Sequence, residues 1–142
     1  MAPVDRDKLR SHIDFVRRTL RQLEEIRANG EDEFTAQPIV QAATIRYLQT
    51  GIEALLDMAN HVISRAGLGL PKTYAEAMEI LVHDGILPSS QRDTLLSMVR
   101  FRNRAVHLYD EIDPAEVWKI LELHLGDFES FVGAMVRRYF AD

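Results

Sequence analysis

Cysteine is absent from the 142 residues, which removes disulfides, thiolate nucleophiles and cysteine-based zinc or iron–sulfur sites. Proline and glycine are sparse, five and seven, and no repeat, low-complexity tract or linker interrupts the chain. No apolar run approaches the roughly 20 residues of a membrane-spanning helix. The opening MAPVDRDKLR is charged where a secretory signal needs its apolar stretch. A cytoplasmic protein without membrane attachment is the expectation. An excess of positive charge is lacking too: 17 basic against 22 acidic residues give −5. Such a chain is no general polyanion binder, so any nucleic-acid contact must come from a local basic patch.

What is present is an ordinary globular mixture, 46% hydrophobic and 27% charged. At this length a core is feasible, and one domain spanning residues 1–142 is expected. Convincing strand alternation is missing, and helical periodicity runs throughout. Leu9, Ile13, Val16, Leu20 and Leu23 stripe a first helix over 5–29, ended by Asn29-Gly30 and an acidic loop, Glu31–Glu33. A long second helix over 38–66 carries Ile45, Leu48, Ile52, Leu55, Ala59 and Val62, and Gly67 ends it. Gly51 and Ala59 mark a close approach of another helix. Thr73-Tyr-Ala-Glu76 is a capping box for a short third helix that stops near Gly85. Ser89 or Ser90 caps a fourth, with Leu95, Leu96, Val99 and Val106 on its apolar face. Asp113-Pro114-Ala115-Glu116 starts a last helix that continues through His124 and Phe128 to about Tyr139. The expected fold is all-α, an antiparallel bundle of three long and two short helices.

One segment departs from plain amphipathicity. Met98-Val-Arg-Phe-Arg-Asn-Arg-Ala-Val-His-Leu-Tyr109 places three arginines, an asparagine, a histidine and a tyrosine in the second half of a helix. Arginines there complement the helix dipole, and a solvated charged face is one reading. The other is chemical. Histidine takes or returns a proton near neutral pH, and arginine grips a phosphate and stabilises charge growing on its oxygens. Together they suffice for attack of an RNA 2′-hydroxyl on the adjacent phosphorus, with no metal or cofactor called for. On an ideal helix Arg102 and His107 lie about 140° apart. Either the helix ends near His107, or a pocket wraps its end, or a second subunit contributes. One histidine does not easily act as both acid and base, which makes a two-fold pairing of sites attractive.

Arg102-Asn103-x-x-x-His107 resembles the catalytic motif of the HEPN superfamily, an arginine and a polar residue followed after three residues by histidine. The extension to Tyr109 and the approach from Met98 are similar to the HepT-like branch. So are Leu48-Gln49-x-x-Ile52-Glu53-Ala54, Asp57, His61, Gly67-Leu-Gly-Leu-Pro71, Tyr74 and Glu76, in consistent order over about 45–113. The resemblance implies a HEPN-like helical homodimer whose two motifs face a shared cleft. It implies a metal-independent endoribonuclease toxin acting on RNA, tRNA or mRNA, and neutralised by a minimal nucleotidyltransferase (MNT) antitoxin. Under it, Arg102 binds phosphate, His107 moves the proton, Asn103 orients the pair or the RNA, and Tyr109 is the modified residue. Arg102 is preferred to Arg100 because Asn103 follows it; Arg100 and Arg104 then position phosphate. Glu53, Asp57 and His61, four residues apart, suggest a hydrogen-bonded polar seam rather than a metal site. His12, His83 and His124 are isolated, Trp118, Phe128 and Phe131 read as packing, and Gly67–Pro71 reads as a turn. The competing function is a non-catalytic RNA- or nucleotide-binding partner of a nucleotidyltransferase; a purely structural helical dimer leaves the arginines unexplained.

Overall fold

The structure is a computed structural model that describes residues 2–141. Seven helices form in chain order among the described residues: α1 (Arg6–Ala28), α2 (Glu31–Ala36), α3 (Pro38–Ala66), α4 (Tyr74–His83), α5 (Arg92–His107), α6 (Pro114–Leu123) and α7 (Leu125–Tyr139). Single 3₁₀ turns precede α5 at Ser89–Gln91 and follow it at Tyr109–Glu111.

The bundle is organised around α3, which touches α1, α2, α4, α5, α6 and α7. Its sequence explains that position. Ile45, Leu48, Ile52, Leu55, Leu56, Met58, Val62 and Ile63 are buried over most of its circumference, as expected of a helix walled in by neighbours. A β-carbon on Gly51 would stand only 3.1 Å from Phe128 Cε1 and 3.6 Å from Thr19 Cγ2, so glycine lets α1 and α7 close on α3 together. Gly67, at φ 67°, ends the helix in the left-handed region, and Leu68 N–H returns to Ile63 carbonyl at 3.0 Å. Asp5, Thr73 and Asp113 cap α1, α4 and α6 as their spacing requires, each accepting a backbone N–H.

Four features differ from the sequence expectation, and each has a local cause. Glu31, Asp32 and Glu33 form the first turn of α2 rather than a loop; three acids at a helix N-terminus are favoured by its dipole. Phe34, the buried residue of α2, lies 5.5 Å from the Trp118 ring and pins that helix to α6. The final helix is two, α6 and α7, divided at His124. Leu121, Leu125 and Phe128 are buried on both sides of the break, so the apolar period runs through it and conceals it. Ser89 and Ser90 belong to a 3₁₀ turn, with α5 starting at Arg92. Val106 is 40% exposed, because it lies one residue past Ala105, where the buried stripe of α5 ends.

The N-terminal segment is fastened across the end of α3. Ala2 N–H donates to Arg65 carbonyl at 3.0 Å, Arg65 Nη1 to Pro3 carbonyl at 3.2 Å, and Asp5 N–H to Nε2 of buried His61 at 2.9 Å. Only a neutral imidazole nitrogen accepts that bond. Burial holds the His61 pKa below its ordinary value, with Lys8 and Arg65 adding to the effect, Asp5 opposing it and His12 adding slightly. The unfolded chain, whose histidine titrates near 6.5, therefore binds more protons than the native state just below that pH, and stability rises with pH through the window. Acidification from about pH 7.5 to about pH 5 is expected to lower the urea midpoint as His61 protonates. His61→Gln, whose amide oxygen still accepts from Asp5 without titrating, is expected to flatten the dependence. An unchanged slope in that variant would move the effect to other groups.

Candidate active site

Leu95, Met98, Val99, Phe101 and Ala105 are the buried residues of α5, and their packing against α3 and α4 sets where the polar residues point. Arg102 falls at the edge of that packed surface, and its side chain is only 16% exposed. Its Nε donates to Glu53 Oε2 at 3.0 Å, and Nη2 lies 3.0 Å from the same oxygen. Gln49 Nε2, one turn earlier on α3, donates to that oxygen at 3.3 Å. Nη1 donates to Asn103 Oδ1 at 3.2 Å, and the guanidinium carbon sits 4.9 Å from the centre of the Tyr74 ring. A carboxylate, an amide and an aromatic face therefore hold one guanidinium in a single orientation. One N–H on each of Nη1 and Nη2 is left for a further acceptor, the pair suited to two oxygens of one phosphate. Beside it opens a cavity of about 390 Å³, bounded by Asn60 of α3, the 71–73 loop, Tyr74, Arg102 and Asn103.

His107 is the last residue of α5. Leu108 leaves helical geometry at φ −133° and ψ 39°, its N–H bonded to Arg104 carbonyl at 2.7 Å, and Tyr109 opens the following turn. His107 is exposed, flanked by exposed Val106, Leu108 and Tyr109, and its ring has no hydrogen-bonding partner among the described residues. Of the three arrangements the sequence left open, the helix does end at His107. Within one chain neither His107 nor Tyr109 lines the Arg102 cavity.

Arg100 and Arg104 face elsewhere. Arg104 is held in a two-pronged pair with Glu116 of α6 at 2.6 and 3.0 Å, which raises its pKa still further above the ordinary arginine value. Arg100 Nη2 donates to Ser97 Oγ at 3.0 Å. Both line a second cavity, about 550 Å³, with an apolar floor that includes Leu48, Ile52 and Phe128 and a rim carrying Asp93, Glu116 and Asp127. The three carboxylates make that larger cavity a poor phosphate seat beside the one at Arg102.

A family model described as ribonuclease HepT-like matches residues 16–135. The chain belongs to the HepT-like ribonuclease family. The mRNA nuclease HepT of Shewanella oneidensis is 29% identical over 126 residues, covering 89% of this chain and 94% of that protein. The tRNA nuclease HepT of Aphanizomenon flos-aquae is 27% identical over 124 residues, covering 87% and 84%. Among solved structures, the tri-AMPylated Shewanella oneidensis HEPN toxin in complex with MNT antitoxin superposes with a TM-score of 0.85 at 29% identity, over 91% of this chain and 96% of that one.

In this HepT-like chain the stripe Glu53, Asp57, His61 does not act as one seam. Glu53 orients Arg102, His61 receives the Asp5 N–H, and Asp57 is exposed. No three histidine, aspartate or glutamate side chains stand together as a metal site among the described residues. His124 is not merely isolated: Nδ1 lies 3.0 Å from Asp127 Oδ2, at the start of α7. Trp118, Phe128 and Phe131 are core, and Gly67–Pro71 is the turn leading to α4. Sequence reasoning missed the roles of Glu53 and Tyr74 as the seat of Arg102, and it missed Asn60 and Lys72 altogether. The available signal was Gln49 and Glu53, two polar residues one turn apart, set among the buried Leu48, Ile52, Ala54 and Leu56.

Proposed function

We propose that this HepT-like ribonuclease cleaves RNA without a metal ion, as the toxin of a pair whose antitoxin is a nucleotidyltransferase. The carrying observation is Arg102, oriented by Glu53, Tyr74 and Asn103 with two N–H groups left open, on the same helix as His107, whose ring has no partner among the described residues. In the reaction the ribose 2′-oxygen attacks phosphorus, its proton passes to a histidine, and the bond from phosphorus to the 5′-oxygen breaks. A second histidine returns a proton to that leaving oxygen. The products are a 2′,3′-cyclic phosphate and a 5′-hydroxyl. Arg102 binds the phosphate and stabilises the charge on its non-bridging oxygens as the fifth bond forms, while Asn103 keeps the guanidinium turned toward it.

Two chains are needed for this chemistry, one histidine acting as base and the other as acid. The exposed tip from Val106 to Tyr109 lies where a two-fold partner can bring its own tip alongside. The named Shewanella relative and the antitoxin-bound structure support the toxin reading and the partner class. Tyr109, two residues past His107 and 45% exposed, is the residue to which the partner adds nucleotides.

The deciding assay is cleavage of total tRNA and of messenger RNA by purified, unmodified protein in excess EDTA. Wild type is expected to generate cyclic phosphate ends, and Arg102→Ala to cleave about 10²–10³-fold more slowly. A folded, dimeric wild-type sample that binds RNA but cuts none of it would instead establish the non-catalytic binding partner.

A further inference from the structure

The cavity beside Arg102 has a composition that phosphate binding alone does not require. Among the described residues no carboxylate lines it, in a chain whose acids outnumber its bases by five, 22 against 17. Lys72 and Arg102 are its cations, Asn60 and Asn103 its carboxamides, and Tyr74 its aromatic ring. Arg102 is committed in part to Glu53, but Lys72 has no ion-pair partner among the described residues, and the Asn60 amide makes no hydrogen bond there. Tyr74 is 36% exposed although the Arg102 guanidinium stacks against its ring. A volume of about 390 Å³ lies at the small end of ligand pockets.

Each group answers one part of a nucleotide. An ammonium on a flexible stem suits a phosphate as a point charge, whereas carboxamides donate and accept along a base edge. An aromatic ring stacks any base. We propose that this cavity seats the nucleotide next to the cleaved phosphodiester: Lys72 binds its outer phosphate, Tyr74 stacks its base, and the Asn60 carboxamide reads the base edge. The inference rests on the ribonuclease reading, with Arg102 at the cleaved phosphate, and adds to it a determinant of where RNA is cut. Lys72 and Asn60 act on binding and selection, while His107 carries the proton.

The test separates binding from cleavage. In a His107→Ala background, which leaves RNA intact, a fluorescent single-stranded RNA hexamer of mixed sequence is titrated at several salt concentrations. Adding Lys72→Ala is expected to weaken binding about 5–10-fold and to reduce the slope of log affinity against log salt by about 0.7, the value for one lost phosphate contact on a single strand. Lys72→Arg is expected to retain both. In the otherwise wild-type enzyme, Asn60→Ala is expected to relax the preference for the base beside the cut by roughly tenfold, read by sequencing the cleaved ends. If wild type cuts RNA but the Lys72→Ala slope and the Asn60→Ala cut-site distribution are unchanged, the subsite is overturned and the nuclease reading stands. If wild type cuts nothing while Lys72→Ala still loses the slope, Lys72 holds an RNA phosphate, but the nuclease reading falls and with it the place of this nucleotide beside a cut. Free AMP competing as well as the hexamer would overturn the assignment to RNA.

Discussion

His107→Ala is expected to slow RNA cleavage by about 10²–10⁴-fold while leaving the helix content and the melting midpoint unchanged. The structure separates these two effects cleanly. The ring ends α5, is exposed, and bonds to nothing among the described residues, so its removal opens no cavity and leaves no buried group unpaired. Its loss removes the one group in the motif able to move a proton near neutral pH. The same variant offers a test of the two-chain site. Wild-type and His107→Ala chains are unfolded together in equal amounts and refolded as a mixture, in which half of the dimers are mixed and a quarter are wild type. If the reaction needs the histidines of both chains, mixed dimers are inactive and about a quarter of wild-type activity remains. If each chain's histidine works alone, mixed dimers keep one site of two and about half remains. Arg102→Ala carries a structural cost that His107→Ala does not, since it strands Glu53 with only Gln49 as partner. Its comparison therefore needs a measured melting curve beside the rate.

Tyr109→Phe is expected to leave the nuclease as active as wild type and to make it refractory to a nucleotidyltransferase antitoxin supplied with ATP, whereas wild type falls silent. The phenol opens the 3₁₀ turn immediately after Leu108, with its side chain reachable from solvent. In the proposed modification its oxygen attacks the α-phosphorus of ATP, pyrophosphate leaves, and the phenolic proton passes to base. Each nucleotide so added places a negative phosphodiester and a bulky base two residues from His107, at the proposed seat of the RNA phosphates. Intact mass measurement provides the second readout: wild type gains one or more adenylate units and Tyr109→Phe gains none. Silencing of Tyr109→Phe without a mass change would mean that the antitoxin inhibits by contact instead.

Helix-forming information was legible because it is local. Caps at Thr73 and Asp113, the end of α3 at Gly67 and the apolar stripes of α1 and α3 involve neighbours within one or two turns. The motif from Arg102 to Tyr109 is equally local, and so the candidate chemistry could be read from it. Where local signals were ambiguous the reading failed. An apolar period continued across His124 and hid the break between α6 and α7. The acids at Glu31–Glu33 looked like a loop but suit the first turn of a helix.

Non-local juxtaposition was beyond any pattern in the chain. Arg102 and Glu53 are 49 residues apart in sequence, and only the packing of α5 against α3 brings them to 3.0 Å. The same packing turns Arg104 toward Glu116 and away from the Arg102 cavity, although only Asn103 separates the two arginines in sequence. Helical geometry rotates such neighbours about 200° apart, so their partners come from different helices. Residue types and spacing thus determine which helices form and which side chains hold reactive groups. The orientation of those groups, the charge that each meets and the cavity they share follow from long-range packing, because an ion pair or a cavity wall depends on distance in space rather than along the chain.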